Sequence, residues 1–109
     1  MFLIQRVFPN LIPFRSKKII HYSLIHYQLY FMWEEKNNTL YKKFEFKNFV
    51  DAFAFMTKVA LAAEKMDHHP LWTNVWNQVE VWLSTHSAGD VITDKDRQLA
   101  KKIDALVKA

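Results

Sequence analysis

Residues 32–109 predict an α+β domain: a four-stranded antiparallel sheet built from two hairpins and covered on one face by helices, in the order β-β-α-β-β-α. Three observations predict it. Apolar residues alternate in two separate stretches, residues 40–46 and 72–83. Between these stretches they recur at spacings of three and four. After the second stretch, a glycine turn and a helix-start signal introduce another such run at the C-terminus.

The first hairpin rests on "TLYKKFEF", where Leu40, Lys42, Phe44 and Phe46 fall on one side of a rough alternation and Tyr41 on the other. Residues 33–36 are its expected partner, joined through a tight turn at Asn37-Asn38. Asn48 then serves as a helix N-cap, its side chain accepting a backbone N–H near Asp51, whose charge suits the positive helix start. Over residues 49–65 the expected inner stripe is Phe49, Ala52, Phe53, Met56, Val59, Ala60 and Ala63, with Asp51, Lys58 and Lys65 opposite. Phe55 and Leu61 widen the apolar surface beyond that stripe, which fits either a second contact or coverage of a broad sheet.

After Pro70, "WTNVWNQVEVWLSTH" predicts the second hairpin, turning at Asn77-Gln78. That turn sets Trp72, Asn74 and Trp76 on one face with Val79, Val81 and Leu83, and it sets Thr73 and Val75 on the other with Glu80, Trp82, Ser84 and His86. Gly89, the single glycine of the chain, supplies a turn after the last strand. Thr93 and Asp96 have capping-box spacing, and Leu99, Ile103, Leu106 and Val107 form the inner stripe of a terminal helix. A domain this small gains from association, so a homodimer or homotetramer is expected.

The composition changes at Met32. The preceding residues 1–31 are apolar and aromatic, and their four basic residues, Arg6, Arg15, Lys17 and Lys18, account for the whole net charge of +4. Residues 32–109 are neutral and carry no basic stripe, so direct nucleic-acid binding is not expected. The leader has three readings: upstream sequence before a natural start at Met32, an acid-free targeting segment, or an extra element packed on the domain. Its uncharged run, residues 19–33, is broken by His21, His26 and Gln28 and is shorter than the roughly 20 apolar residues of a bilayer span, so no membrane anchor is expected. The chain has no cysteine, which excludes disulfides, thiolate nucleophiles and cysteine zinc sites.

Residues 32–109 contain three histidines: His68 and His69 in the loop after the long helix, and His86 at the end of the last strand. The topology can bring all three to one edge of the sheet. Adjacent residues in extended chain point apart, and Pro70 keeps His69 out of helical geometry, so the pair is poorly arranged to share one metal ion. Divergent imidazoles suit acid–base work on a flat substrate, one giving a proton while another takes one. Glu64 and Asp67 are near enough to orient these rings, although each also fits a solvated helix end. Asp96 is already explained by its cap.

The motif "AEKMDHHPLWTNVWNQV", followed by "LSTH", a glycine turn and "TDKD", resembles the pterin-4a-carbinolamine dehydratases, and "FKNFVDAFAFMTKVALAAEK" continues the likeness upstream. It runs from about Trp33 to the C-terminus. The resemblance implies the same α+β fold, assembly into dimers or tetramers, and dehydration of a 4a-hydroxytetrahydropterin to the quinonoid dihydropterin without metal or organic cofactor, expected in the cytoplasm. It also implies catalysis by His68, His69 and His86, supported by Glu64, Asp67 and Asp96. His69 and His86 are expected nearest the reacting centre, with His68 positioned through Glu64. Trp72 is expected in the hairpin core or as a wall for the pterin. Two features depart from the family pattern: the leader does not match its acidic N-terminal segment, and the loop from His86 to Asp96 is one residue longer than the commonest form.

Overall fold

The computed structural model describes residues 32–108, and the expectations for the leader lie outside them. The elements are β1 (Glu34–Lys36), β2 (Thr39–Glu45), α1 (Phe49–Met66), β3 (Leu71–Val75), β4 (Gln78–Leu83), a 3-10 turn (His86–Ala88) and α2 (Asp94–Lys108). The four strands form one antiparallel sheet in the order β1-β2-β4-β3, so the two hairpins meet through β2 and β4 at its centre. Both helices lie on one face, α1 against β4 and α2 against β2, and they also pack on each other. The predicted α+β architecture is what forms. Among the described residues, no helix is long and apolar enough to cross a membrane.

Each junction has a local cause. Asn37 and Asn38 both take positive φ, 51° and 61°, the signature of a two-residue hairpin turn that asparagine tolerates well. Asn48 caps α1 as expected, its Oδ1 accepting the Asp51 N–H at 2.8 Å. The second hairpin turns one residue earlier than predicted, at Trp76-Asn77, with Val75 paired to Gln78. Three side-chain bonds fix it there. Asn74 Nδ2 donates to the carbonyls of Trp76 and Gln78, and Asn77 Nδ2 donates to the Phe46 carbonyl at 2.8 Å. Moving a two-residue turn by one position shifts the register by two, so every paired residue keeps its face. Trp72 and Asn74 still lie with Val79 and Val81, while Trp76 leaves the strand for the turn.

The core is one contiguous cluster. Leu40, Phe44, Val79, Val81 and Leu83 come from the sheet, Ala52, Phe55, Val59 and Ala63 from α1, and Leu99, Ala100 and Ile103 from α2. On α1 the buried stripe is rotated from the expected one. Phe55 is 4% exposed and stacks on Phe44 and Phe46 at 4.9 Å, whereas Phe49, Phe53 and Ala60 face outward. Lys42 shares the inward face of β2 with Leu40 and Phe44. It is buried, pairs with Asp104 of α2 at 2.9 Å, and lies over the Phe44 ring. Trp33 donates its indole N–H to the same carboxylate at 3.1 Å, so one acid ties α2 to the start of the sheet.

The opposite sheet face carries Tyr41 beside Trp82, ring centroids 5.3 Å apart. Burial, followed by the hydrogen bond to Glu80 and the charges of Glu80 and Glu34, pushes the Tyr41 hydroxyl up to about 12.

Candidate active site

The end of α1 determines where its two histidines go. Asp67 is the left-handed residue just past the helix, φ 53°, its N–H bonded to the Glu64 carbonyl. The His68 N–H bonds back to the Ala63 carbonyl at 3.0 Å, completing a Schellman ending. Aspartate tolerates this conformation because its short side chain clashes little. The reversal folds His68 under the helix and leaves His69 outside. Asp67 therefore acts through its backbone, and its side chain makes no hydrogen bond with either histidine ring among the described residues.

His68 is buried, and its Nε2 lies 2.6 Å from Oδ1 of Asp96, which is fully buried. The other oxygen, Oδ2, accepts the Thr85 hydroxyl at 2.7 Å and the Thr93 N–H at 2.8 Å. The last of these is the predicted capping-box bond, so Asp96 caps α2 and holds an imidazole together. Both oxygens of this buried carboxyl group thus have hydrogen-bond partners.

The expected link from His68 to Glu64 is not formed. Glu64 reaches His69 instead, Oε1 to Nε2 at 2.8 Å, because the helix ending sends His68 inward to Asp96 and His69 outward to the exposed side of α1. This pair is open to solvent, with side chains 56% and 78% exposed.

His86 does not end the last strand. β4 stops at Leu83, Thr85 forms an isolated bridge with Val91, and His86 opens the 3-10 turn between them. Its ring is 95% exposed, and Nδ1 meets Asp90 Oδ1 at 2.9 Å. That hydrogen bond, together with the Asp90 charge, raises the His86 pKa above its ordinary 6.5. A raised value means that the ion pair contributes fully below pH 6.5 and is lost as pH rises through the shifted midpoint. At this exposure salt screens the contribution. In an NMR titration, His86 should titrate above 6.5 and Asp90→Asn should bring its midpoint back down. An unchanged midpoint in the variant would show that Asp90 is not the cause.

Each of the three imidazoles is thus held by its own carboxylate. His68 and His86 are linked through the chain, since Thr85, the residue before His86, bonds the acid that holds His68. Trp72 packs against the core on the helix-covered face, the hairpin-core alternative of the expectation. Among the described residues, no group of three histidines or acids is set to hold a metal ion. The sequence marks Thr93 only as the start of the α2 cap and gives no sign of Thr85 or Asp90 as partners of the histidines. The alternation Val79, Val81, Leu83 continues to Thr85, and a polar residue at an inward position signals a buried partner.

A family model described as "Pterin 4 alpha carbinolamine dehydratase" matches residues 17–106. The chain belongs to this family. Among its curated relatives, a protein of Synechococcus sp. (strain WH7803) is 43% identical over 97 residues, covering 89% of this chain and 97% of the relative. One from Prochlorococcus marinus (strain NATL2A) is 48% identical over 77 residues, covering 71% and 80%. Both bear the name "Putative pterin-4-alpha-carbinolamine dehydratase". A solved structure from Brucella melitensis, described as a transcriptional coactivator/pterin dehydratase, matches with TM-score 0.67 and 34% identity over 86% of this chain and 98% of its own. A pterin dehydratase-like protein described as a RuBisCO assembly factor in the alpha-carboxysome matches with TM-score 0.61 and 25% identity, covering 72% and 92%.

Proposed function

We propose that this member of the pterin carbinolamine dehydratase family removes water from a 4a-hydroxytetrahydropterin to give the quinonoid dihydropterin, in cytoplasmic pterin recycling. The observation that supports this most is the set of three carboxylate-held imidazoles, His68 with Asp96, His69 with Glu64 and His86 with Asp90. A carboxylate on one ring nitrogen fixes the proton there and leaves the other nitrogen for the substrate. The reaction breaks the C4a–O bond as the hydroxyl takes up a proton and leaves as water. The N5–H bond electrons then form C4a=N5, and the N5 proton goes to a base.

His86, favoured in its protonated form by Asp90, is suited to deliver the proton from Nε2. His69 is suited to take the N5 proton at Nδ1, and the buried His68 to hold the ring. These steps need neither metal nor organic cofactor. The working form is a homodimer or homotetramer, and the neutral domain binds no nucleic acid directly.

Stopped-flow dehydration of a synthetic 4a-hydroxytetrahydropterin tests this proposal. His69→Ala and His86→Ala should each slow the reaction by about 10²-fold. Unchanged rates in both variants would overturn it. A second reading is a non-catalytic dimerisation or assembly module. It is favoured by the likeness to a RuBisCO assembly factor and by the outward apolar side chains Phe49, Val50, Phe53 and Leu61 on α1. It predicts no acceleration by the wild type over buffer.

A further inference from the structure

Asp96 collects more hydrogen bonds than the orientation of one ring requires, and those bonds have a direction. A threonine hydroxyl carries a single proton. Thr85 gives its proton to Asp96 Oδ2 at 2.7 Å, so in the 2.6 Å contact between the two hydroxyls Thr93 is the donor. The Thr93 oxygen accepts the Lys95 N–H at 3.3 Å. The chain therefore runs one way: Lys95 N–H to Thr93, Thr93 to Thr85, and Thr85 to Asp96.

With Oδ2 filled by Thr85 and the Thr93 N–H, the remaining oxygen has His68 as its partner. The carboxylate cannot turn without breaking bonds at a site where Thr85 and Asp96 are both buried. An Nε2–H is what this oxygen can accept, which leaves Nδ1 as a bare lone pair.

We propose that Thr85, backed by Thr93, is a positioning residue that holds the Asp96 carboxylate in place, and through it the position of a His68 ring kept in the Nε2–H tautomer by that carboxylate, so that His68 meets the pterin as a hydrogen-bond acceptor through Nδ1. The catalytic part of this statement rests on the dehydratase reading above, and the tautomer part does not. Thr85→Val removes the hydroxyl while keeping the shape, and Thr85→Ser keeps the hydroxyl. Without the Thr85 bond the Asp96 Oδ2 is held by the Thr93 N–H alone, so the carboxylate can turn and its contact with the His68 ring changes.

Long-range nitrogen–proton NMR on histidine-labelled protein reads both the tautomer and the Nε2–H resonance that reports the bond to Asp96. The wild type should show His68 protonated at Nε2. Thr85→Val should keep the Nε2–H form but move the His68 Nε2–H resonance away from its wild-type position, and Thr85→Ser should restore the wild-type spectrum. The dehydration kcat of Thr85→Val should fall about tenfold, the scale on which partners behind metal-bound histidines act, and Thr85→Ser should restore it.

Thr85→Ala, which places no extra methyl in the site, serves if the valine variant does not fold. A Thr85→Val or Thr85→Ala protein with the wild-type His68 Nε2–H resonance and the wild-type kcat overturns the proposal. So does a wild-type His68 protonated at Nδ1. A wild type that accelerates no dehydration counts against the functional reading, while the His68 spectra still decide the positioning.

Discussion

Asp96→Asn is expected to lower the dehydration rate about 10³-fold while leaving a folded domain. The reason is the count of donors. Asp96 accepts from His68 on one oxygen and from Thr85 and the Thr93 N–H on the other. An asparagine has one oxygen and one NH2 group, so one side must present donors to donors. A backbone N–H cannot reverse, whereas a neutral imidazole can move its proton. The amide therefore keeps its oxygen toward Thr85 and Thr93 and turns its NH2 to His68, forcing the ring into the Nδ1–H tautomer. Nδ1 then meets the substrate with a proton in place of its lone pair. Loss of charge-assisted bonds should also lower the unfolding free energy by about 2–3 kcal/mol. Stopped-flow rates and urea unfolding measure the two effects. A wild-type rate in a folded Asp96→Asn protein would show that this carboxylate has no catalytic consequence.

Phe55→Ala is expected to destabilise the domain by about 3–5 kcal/mol, a large share of the total stability of a domain this size. Phe55 is buried and stacks on Phe44 and Phe46, so its ring joins α1 to the end of β2. Removing it opens a cavity at the point where helix and sheet interlock, and the surrounding rings cannot collapse into that cavity without leaving their own contacts. Urea unfolding should show a lower midpoint with an unchanged slope. A midpoint equal to that of the wild type would mean that Phe55 is not part of the core.

Phe55 also shows what the sequence could and could not convey. Spacings of three and four are satisfied by the expected stripe, Phe49, Ala52, Phe53, Met56, Val59, Ala60 and Ala63, and equally by the buried one, Ala52, Phe55, Val59 and Ala63, which shares three of its members. When the apolar arc of a helix is wide, periodicity reveals the helix but not its rotation. Strands suffer less from this ambiguity. The second hairpin was placed one residue late, yet the inward and outward residues came out right, because a period of two survives that shift. The two hairpins, both helix starts and the α2 stripe were legible because turn residues, caps and alternation all agreed.

At the site the histidines were legible and their partners were not. Glu64 is near both His68 and His69 in sequence, and nothing local shows that the left-handed Asp67 turns one ring inward and one outward. Asp96 is 28 residues from His68, so their pairing depends on how α2 docks. Asp90 escaped notice because it lies in a loop with no periodicity to mark it.

The bridge between Thr85 and Val91 has a consequence for how this fold can diverge. It closes off the segment that carries His86 and Asp90, while Thr85 itself remains fastened to Asp96. Residues can be gained between those two clasped ends without disturbing the buried acid. The outer histidine is therefore open to alteration by loop length, and the inner one is inherited with the core.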